Sequence, residues 1–110
     1  MTDSSYKQEG DEMNIIKDKS GQSLTLTLVG RLDTNAAPVL EEELFDSLEG
    51  VTELIFECRD LEYLTSAGIR VLVAAQKEMN DQGTMVLRNV IDEIMNLFKM
   101  TALDEVFTFE

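Results

Sequence analysis

The passage from Leu54 to Met79 constrains the fold more than any other part of the chain. Leu54 to Cys58 is almost continuously apolar and reads as a buried strand, while Ile69, Leu72, Val73, Gln76 and Met79 recur at helical spacing. Between them, Asp60 to Arg70 carries the small hydroxyl residues Thr65 and Ser66 to the start of that helix. Free backbone N–H groups and the helix dipole favour an anion at such a position. A hydroxyl there has three readings: a helix cap, a phosphate-binding group or a phosphorylation site.

The rest of the chain extends the strand-to-helix pattern. Met1 to Glu12 is polar without periodicity and reads as a flexible tail, leaving one domain over residues 13–110. Met13 to Lys17 is a short strand. Asp18 to Gln22 has turn chemistry, and Leu24, Leu26 and Leu28 alternate with Thr25 and Thr27, which completes a hairpin. Asp33, Thr34 and Asn35 are N-cap candidates for a first helix, with Pro38 in its first turn, a stripe of Leu40, Leu44, Phe45 and Leu48, and Gly50 as its stop. Val51 to Cys58 reads as a strand covered on both faces. Arg59 to Thr65 is a loop, and the second helix ends near Gly83. A strand at Thr84 to Arg88, a third helix through Val90, Ile91, Ile94, Leu97 and Phe98, and an edge strand at Val106 to Phe109 follow. The order β-β-α-β-α-β-α-β specifies an α/β class: a mixed sheet with right-handed crossovers and helices packed against it. Met79, Met85, Met95 and Met100 fall on core-like positions.

Charge and composition exclude several functions. The 110 residues hold 22 acidic and 9 basic side chains, a formal net charge of −13. The basic residues are scattered, which argues against nucleic acid and against an anionic membrane surface. The acidic stretch Glu41, Glu42, Glu43, Asp46, Glu49, Glu53, Glu57, Asp60 and Glu62, with only Arg59 to offset it, reads as a solvated helix face or as a docking face for a basic partner. With no His in the chain, Ser-His-Asp and Cys-His catalysis and the commonest metal ligand are absent. No metal, no cofactor and no catalytic residue is expected. The single Cys58 lies in a strand and reads as an inert core thiol. With no signal-like N-terminus and no long apolar run, the expected location is the cytoplasm.

Three positions compete as functional. Ser66 is a cap or a modification site, and the two roles are compatible. Gly68 in the first helical turn either packs the helix tightly on the sheet or admits another backbone or a phosphate. Asp33 is a cap or a charged group on the same sheet edge as Ser66, since both follow strand carboxyl ends.

Gly30 to Asp33, Asp60 to Arg70 and Leu97 to Phe107, in that order and spacing, resemble a STAS domain of the anti-sigma factor antagonist type. The resemblance covers Met13 to Phe109. It implies a non-enzymatic switch: the unphosphorylated antagonist binds an anti-sigma factor that is also a serine kinase with a GHKL-type ATP-binding fold, and so frees the sigma factor. Phosphorylation of one serine at the start of the second helix breaks the complex, and a PP2C-like phosphatase restores it. Matching the family pattern Asp-Ser-(Ser/Thr)-Gly onto Thr65 to Gly68 puts the acceptor at Ser66. Asp33, Thr34, Asn35, Thr65, Ser66, Ala67, Gly68 and Arg70 then form the partner-binding rim. Thr65 and Ala67 depart from the pattern, which keeps two other readings in play. One is a STAS module of a transport or sensory complex that is never phosphorylated. The other is a small α/β enzyme or nucleotide binder, disfavoured by the missing His and phosphate-loop Lys.

Overall fold

The computed structural model describes residues 5–7 and 13–110. In chain order the elements are β1 (Ser5–Lys7), β2 (Asn14–Ser20), β3 (Ser23–Leu32), α1 (Ala37–Ser47), β4 (Glu53–Glu57), β5 (Leu61–Leu64), α2 (Ser66–Gln82), β6 (Thr84–Arg88) and α3 (Asp92–Met100), followed by a 3-10 turn at Leu103–Glu105. This is the expected mixed α/β domain. It also has a strand, β1, within the stretch read as a tail, while residues 1–4 and 8–12 of that stretch lie outside the described residues.

The strands form one sheet in the order β1-β2-β3-β4-β6, with β5 paired to β3. The β2–β3 hairpin turns through Gly21, whose φ of 61° suits glycine. β3 runs parallel to β4, and β4 parallel to β6. Parallel neighbours require crossovers, which α1 and α2 supply. The expected loop after Cys58 contains β5. Beyond the end of β4, β5 takes up pairing with β3 at a register shift between Gly30 and Arg31, where Gly30 has φ 106° and donates its N–H to the Asp60 carbonyl at 2.9 Å. Beyond the shift Leu32 pairs with Leu64, and its carbonyl accepts the Thr65 N–H at the start of α2.

Register explains the core. Leu24, Leu54 and Met85 form one cross-strand row and Leu26, Phe56 and Leu87 the next; all six are buried on the same face. Leu40 and Leu44 of α1, Val71, Leu72, Ala75 and Met79 of α2, and Ile94 and Phe98 of α3 join them in one cluster. The opposite rows, Thr25–Ile55–Val86 and Thr27–Glu57–Arg88, belong to the other face, and none of their members joins that cluster. Among the described residues the helices therefore cover one face, not both. β4 reads as continuously apolar because Ile55, on the face without helices, is buried as well.

Other expectations shift by a residue or a face. Phe45 lies off the buried stripe of α1 and is 38% exposed, and Met100, at the last turn of α3, is 83% exposed. Glu43 is buried rather than solvated, in an ion pair with Lys17 of β2, whose Nζ also donates to Ser47 Oγ at 3.0 Å. The final edge strand shrinks to one bridge, Leu87 to Phe109, with Leu87 N–H donating to the Thr108 carbonyl. Phe98 meets Phe107 edge-on at 5.4 Å between centroids and Phe109 at 5.8 Å, which anchors this C-terminal segment on α3. Cys58 is buried, and burial, with the Glu57 carboxylate adding to it, pushes its thiol up to about 12.

Candidate functional site

β3 and β5 end on the same sheet edge, and the helices that follow them begin there. At the end of β3, Asp33 turns the chain into α1. Its Oδ1 accepts the Asn35 N–H at 3.1 Å and the Ala36 N–H at 3.0 Å, while its carbonyl accepts from Ala37 N–H at 2.9 Å. None of the three cap candidates is the N-cap, which is Ala36 without a side-chain cap bond; Asp33 instead holds the turn that leads into α1. Thr34 and Asn35 stand exposed in the turn.

At the end of β5 the structure moves the cap by one residue. Thr65, not Ser66, is the N-cap of α2, with extended backbone. Its N–H and hydroxyl both donate to the Leu32 carbonyl, at 3.1 and 3.4 Å, so its side chain ties α2 to β3 and leaves the helix uncapped. Ile69 N–H makes the first intrahelical bond, to the Thr65 carbonyl. The N–H groups of Ser66, Ala67 and Gly68 precede it without intrahelical partners. Ser66 is the first helical residue. Its side chain is exposed and its hydroxyl makes no hydrogen bond among the described residues.

Gly68 belongs to the packing. A methyl group there would meet Leu32 Cγ at 2.6 Å and the Leu32 carbonyl oxygen and Leu64 Cδ1 at 2.9 Å each. Its absence lets the helix sit directly on the ends of β3 and β5. Gly68 is thus buried against the sheet, which favours the packing reading over close approach of a phosphate.

Between the first turns of α1 and α2 lies a groove of about 330 Å³ lined by Thr34, Ala37, Pro38, Glu41, Ala67, Arg70, Val71 and Ala74. The fold thus brings Thr34, Ala67 and Arg70 of the expected rim together in one groove, with Asp33 building the turn at one side and Ser66 beside Ala67 on the other. Ala37, Pro38, Glu41 and Ala74 complete it. Their signal was the helical spacing from Thr34 to Glu41 and from Ala67 to Ala74. Its floor is apolar, and among the described residues its charged lining side chains are Glu41 and Arg70. A larger cavity of about 570 Å³, lined by Phe45, Leu48, Glu49, Val51, Glu78 and Gln82 among others, lies at the far ends of both helices and contains none of the expected site residues.

No set of three His, Cys, Asp or Glu side chains among the described residues converges to hold a metal ion, and no described helix is long and apolar enough to cross a membrane. The arrangement supplies an exposed hydroxyl, an uncapped helix start and a small apolar groove flanked by one charge of each sign. Such a surface has the chemistry to dock a partner or to accept a phosphate.

Comparison with known proteins agrees with this geometry. The profile of the STAS domain matches residues 14–110. The anti-sigma-B factor antagonist of Bacillus subtilis (strain 168) is 27% identical over 95 residues, covering 86% of this chain and 87% of that protein. The crystal structure of an anti-sigma factor antagonist from Mycobacterium paratuberculosis superposes with a TM-score of 0.81 at 17% identity, covering 94% of this chain and 89% of the other. The antagonist SpoIIAA of Bacillus, also 17% identical, superposes with TM-scores of 0.77 in its unphosphorylated form and 0.70 in its phosphorylated form, covering 87% of this chain in each case and 87% and 90% of SpoIIAA.

Proposed function

The chain belongs to the STAS domain family, and from that premise we propose that it is an anti-sigma factor antagonist controlled at Ser66. In its unmodified form it binds an anti-sigma factor, a serine kinase with a GHKL-type ATP-binding fold, through the groove between α1 and α2 and the rim of Asp33, Thr34, Asn35, Thr65 and Ser66. Phosphorylation of Ser66 ends binding, and a PP2C-like phosphatase restores it. The protein itself catalyses nothing.

The observation that carries this reading is the state of Ser66: exposed, free of hydrogen bonds among the described residues, and at the start of α2 beside the groove. A phosphate there adds about −1.5 to −2 of charge and meets unpaired N–H groups, so the helix tolerates it. The change falls on the contact surface, of a chain already at −13, rather than on the core. Affinity for the cognate kinase tests the reading. Ser66→Ala retains binding and Ser66→Asp weakens it; equal affinities of the two variants refute the switch.

A further inference from the structure

We infer that Arg70 is the internal partner of the phosphate on Ser66 and that phosphorylation draws its guanidinium out of the groove. The inference rests on the phosphorylation reading above and specifies how the modified site is held. Ser66 and Arg70 lie one turn apart on α2, at the i and i+4 positions that share a helix face. Both side chains are exposed. Arg70 lines the groove in the unmodified protein, and because helical side chains lean towards the N-terminus a rotamer that reaches back over the turn beginning with Ser66 is open to it.

Nothing on α2 competes for it. The residues three and four positions away are Ser66, Ala67, Val73 and Ala74, none of them acidic. Arg70 makes no ion pair with another described residue. The ion pairs among the described residues are Lys17–Glu43 and Arg88–Glu110. Glu41 lines the same groove from α1 without closing on Arg70. A doubly charged phosphate one turn away is a stronger partner than a carboxylate across the groove, and guanidinium binds phosphate oxygens in a bidentate fork. Once Arg70 turns to the phosphate, Glu41 is the only charged side chain left in the groove. Phosphorylation therefore changes two features of the binding surface together: it adds negative charge at the rim and removes positive charge from the groove.

The test uses the full chain with phosphoserine incorporated at position 66 during translation, so that it needs no kinase. The second ionisation of the phosphate is followed by phosphorus-31 NMR against pH in this protein and in its Arg70→Gln and Arg70→Lys variants. Asp33 and Glu41, the carboxylates on this rim, are kept in all three. An arginine partner favours the dianion, so Arg70→Gln raises the phosphate pKa by about 0.3 pH unit. Arg70→Lys falls in between, and 1 M salt abolishes the differences. Circular dichroism confirms that these surface variants fold. Identical titrations of the parent and Arg70→Gln proteins overturn the inference. A chain that the cognate kinase leaves unmodified sinks the switch instead, and leaves this pairing to be judged by the titration alone.

Discussion

Replacing Gly68 with Ala tests the packing that positions Ser66. On an exposed helix this change adds up to about 1 kcal/mol of stability, because Ala is the better helix former. Here the new methyl group would sit 2.6 Å from Leu32 Cγ and 2.9 Å from both the Leu32 carbonyl oxygen and Leu64 Cδ1. Leu64 can rotate, but the Leu32 carbonyl is fixed by the two bonds it accepts from Thr65. Overpacking of this kind costs about 1–3 kcal/mol. Setting the gain against the cost leaves a net loss on the order of 1 kcal/mol, or roughly 4 °C in Tm for a domain of this size. Urea denaturation followed by circular dichroism measures it, with the slope of the transition unchanged. A Gly68→Ala protein as stable as the parent, or more so, would refute the close packing of α2 on β3 and β5.

Two further outcomes follow from the buried groups. Glu43→Ala removes the carboxylate that pairs with Lys17, leaving the ammonium only Ser47 Oγ; because Lys17 keeps some contact with water, the loss is about 1–2 kcal/mol in denaturant titration, and the double variant Lys17→Met/Glu43→Ala recovers most of it. The Cys58 thiol, pushed up to about 12 by burial and then by Glu57, stays protonated in the folded protein where the unfolded chain ionises near 9.0. The unfolded state therefore binds fewer protons between those values, so this group contributes a fall in stability as pH rises from about 9 to about 12 and nothing below. Comparison of alkaline unfolding in the parent and Cys58→Ala proteins isolates the contribution, which is absent in the variant.

The hairpin and the alternation of strands and helices were legible because period-2 and period-3.6 patterns report burial directly. β5 was not. Its four residues place Glu62 and Tyr63 outside, with Tyr63 stacked under the Arg31 guanidinium at 4.0 Å, and so few residues show no alternation. The buried face of α2 slipped because Gly68 and Ala75 pack through their smallness and carry little hydrophobic signal. Glu43 looked solvated because its partner, Lys17, comes from a distant strand. At the site, the residue types and their shared edge were legible, since both follow parallel strands. The division of labour was not: Thr65 takes the cap position with its hydroxyl on the Leu32 carbonyl, a contact between residues 33 apart in the sequence that follows a register shift at Gly30.

Ser66 is proposed above as the acceptor of a regulatory phosphate. Incubation of the full chain with its cognate ATP-binding kinase and ATP, followed by intact-mass measurement, tests it most directly. One added phosphate is expected on the parent protein and none on Ser66→Ala. An unmodified parent chain would contradict it and favour a STAS module that binds without being phosphorylated; a phosphate that persists in Ser66→Ala would contradict it by placing the acceptor elsewhere, with Thr65 the nearest hydroxyl in the sequence.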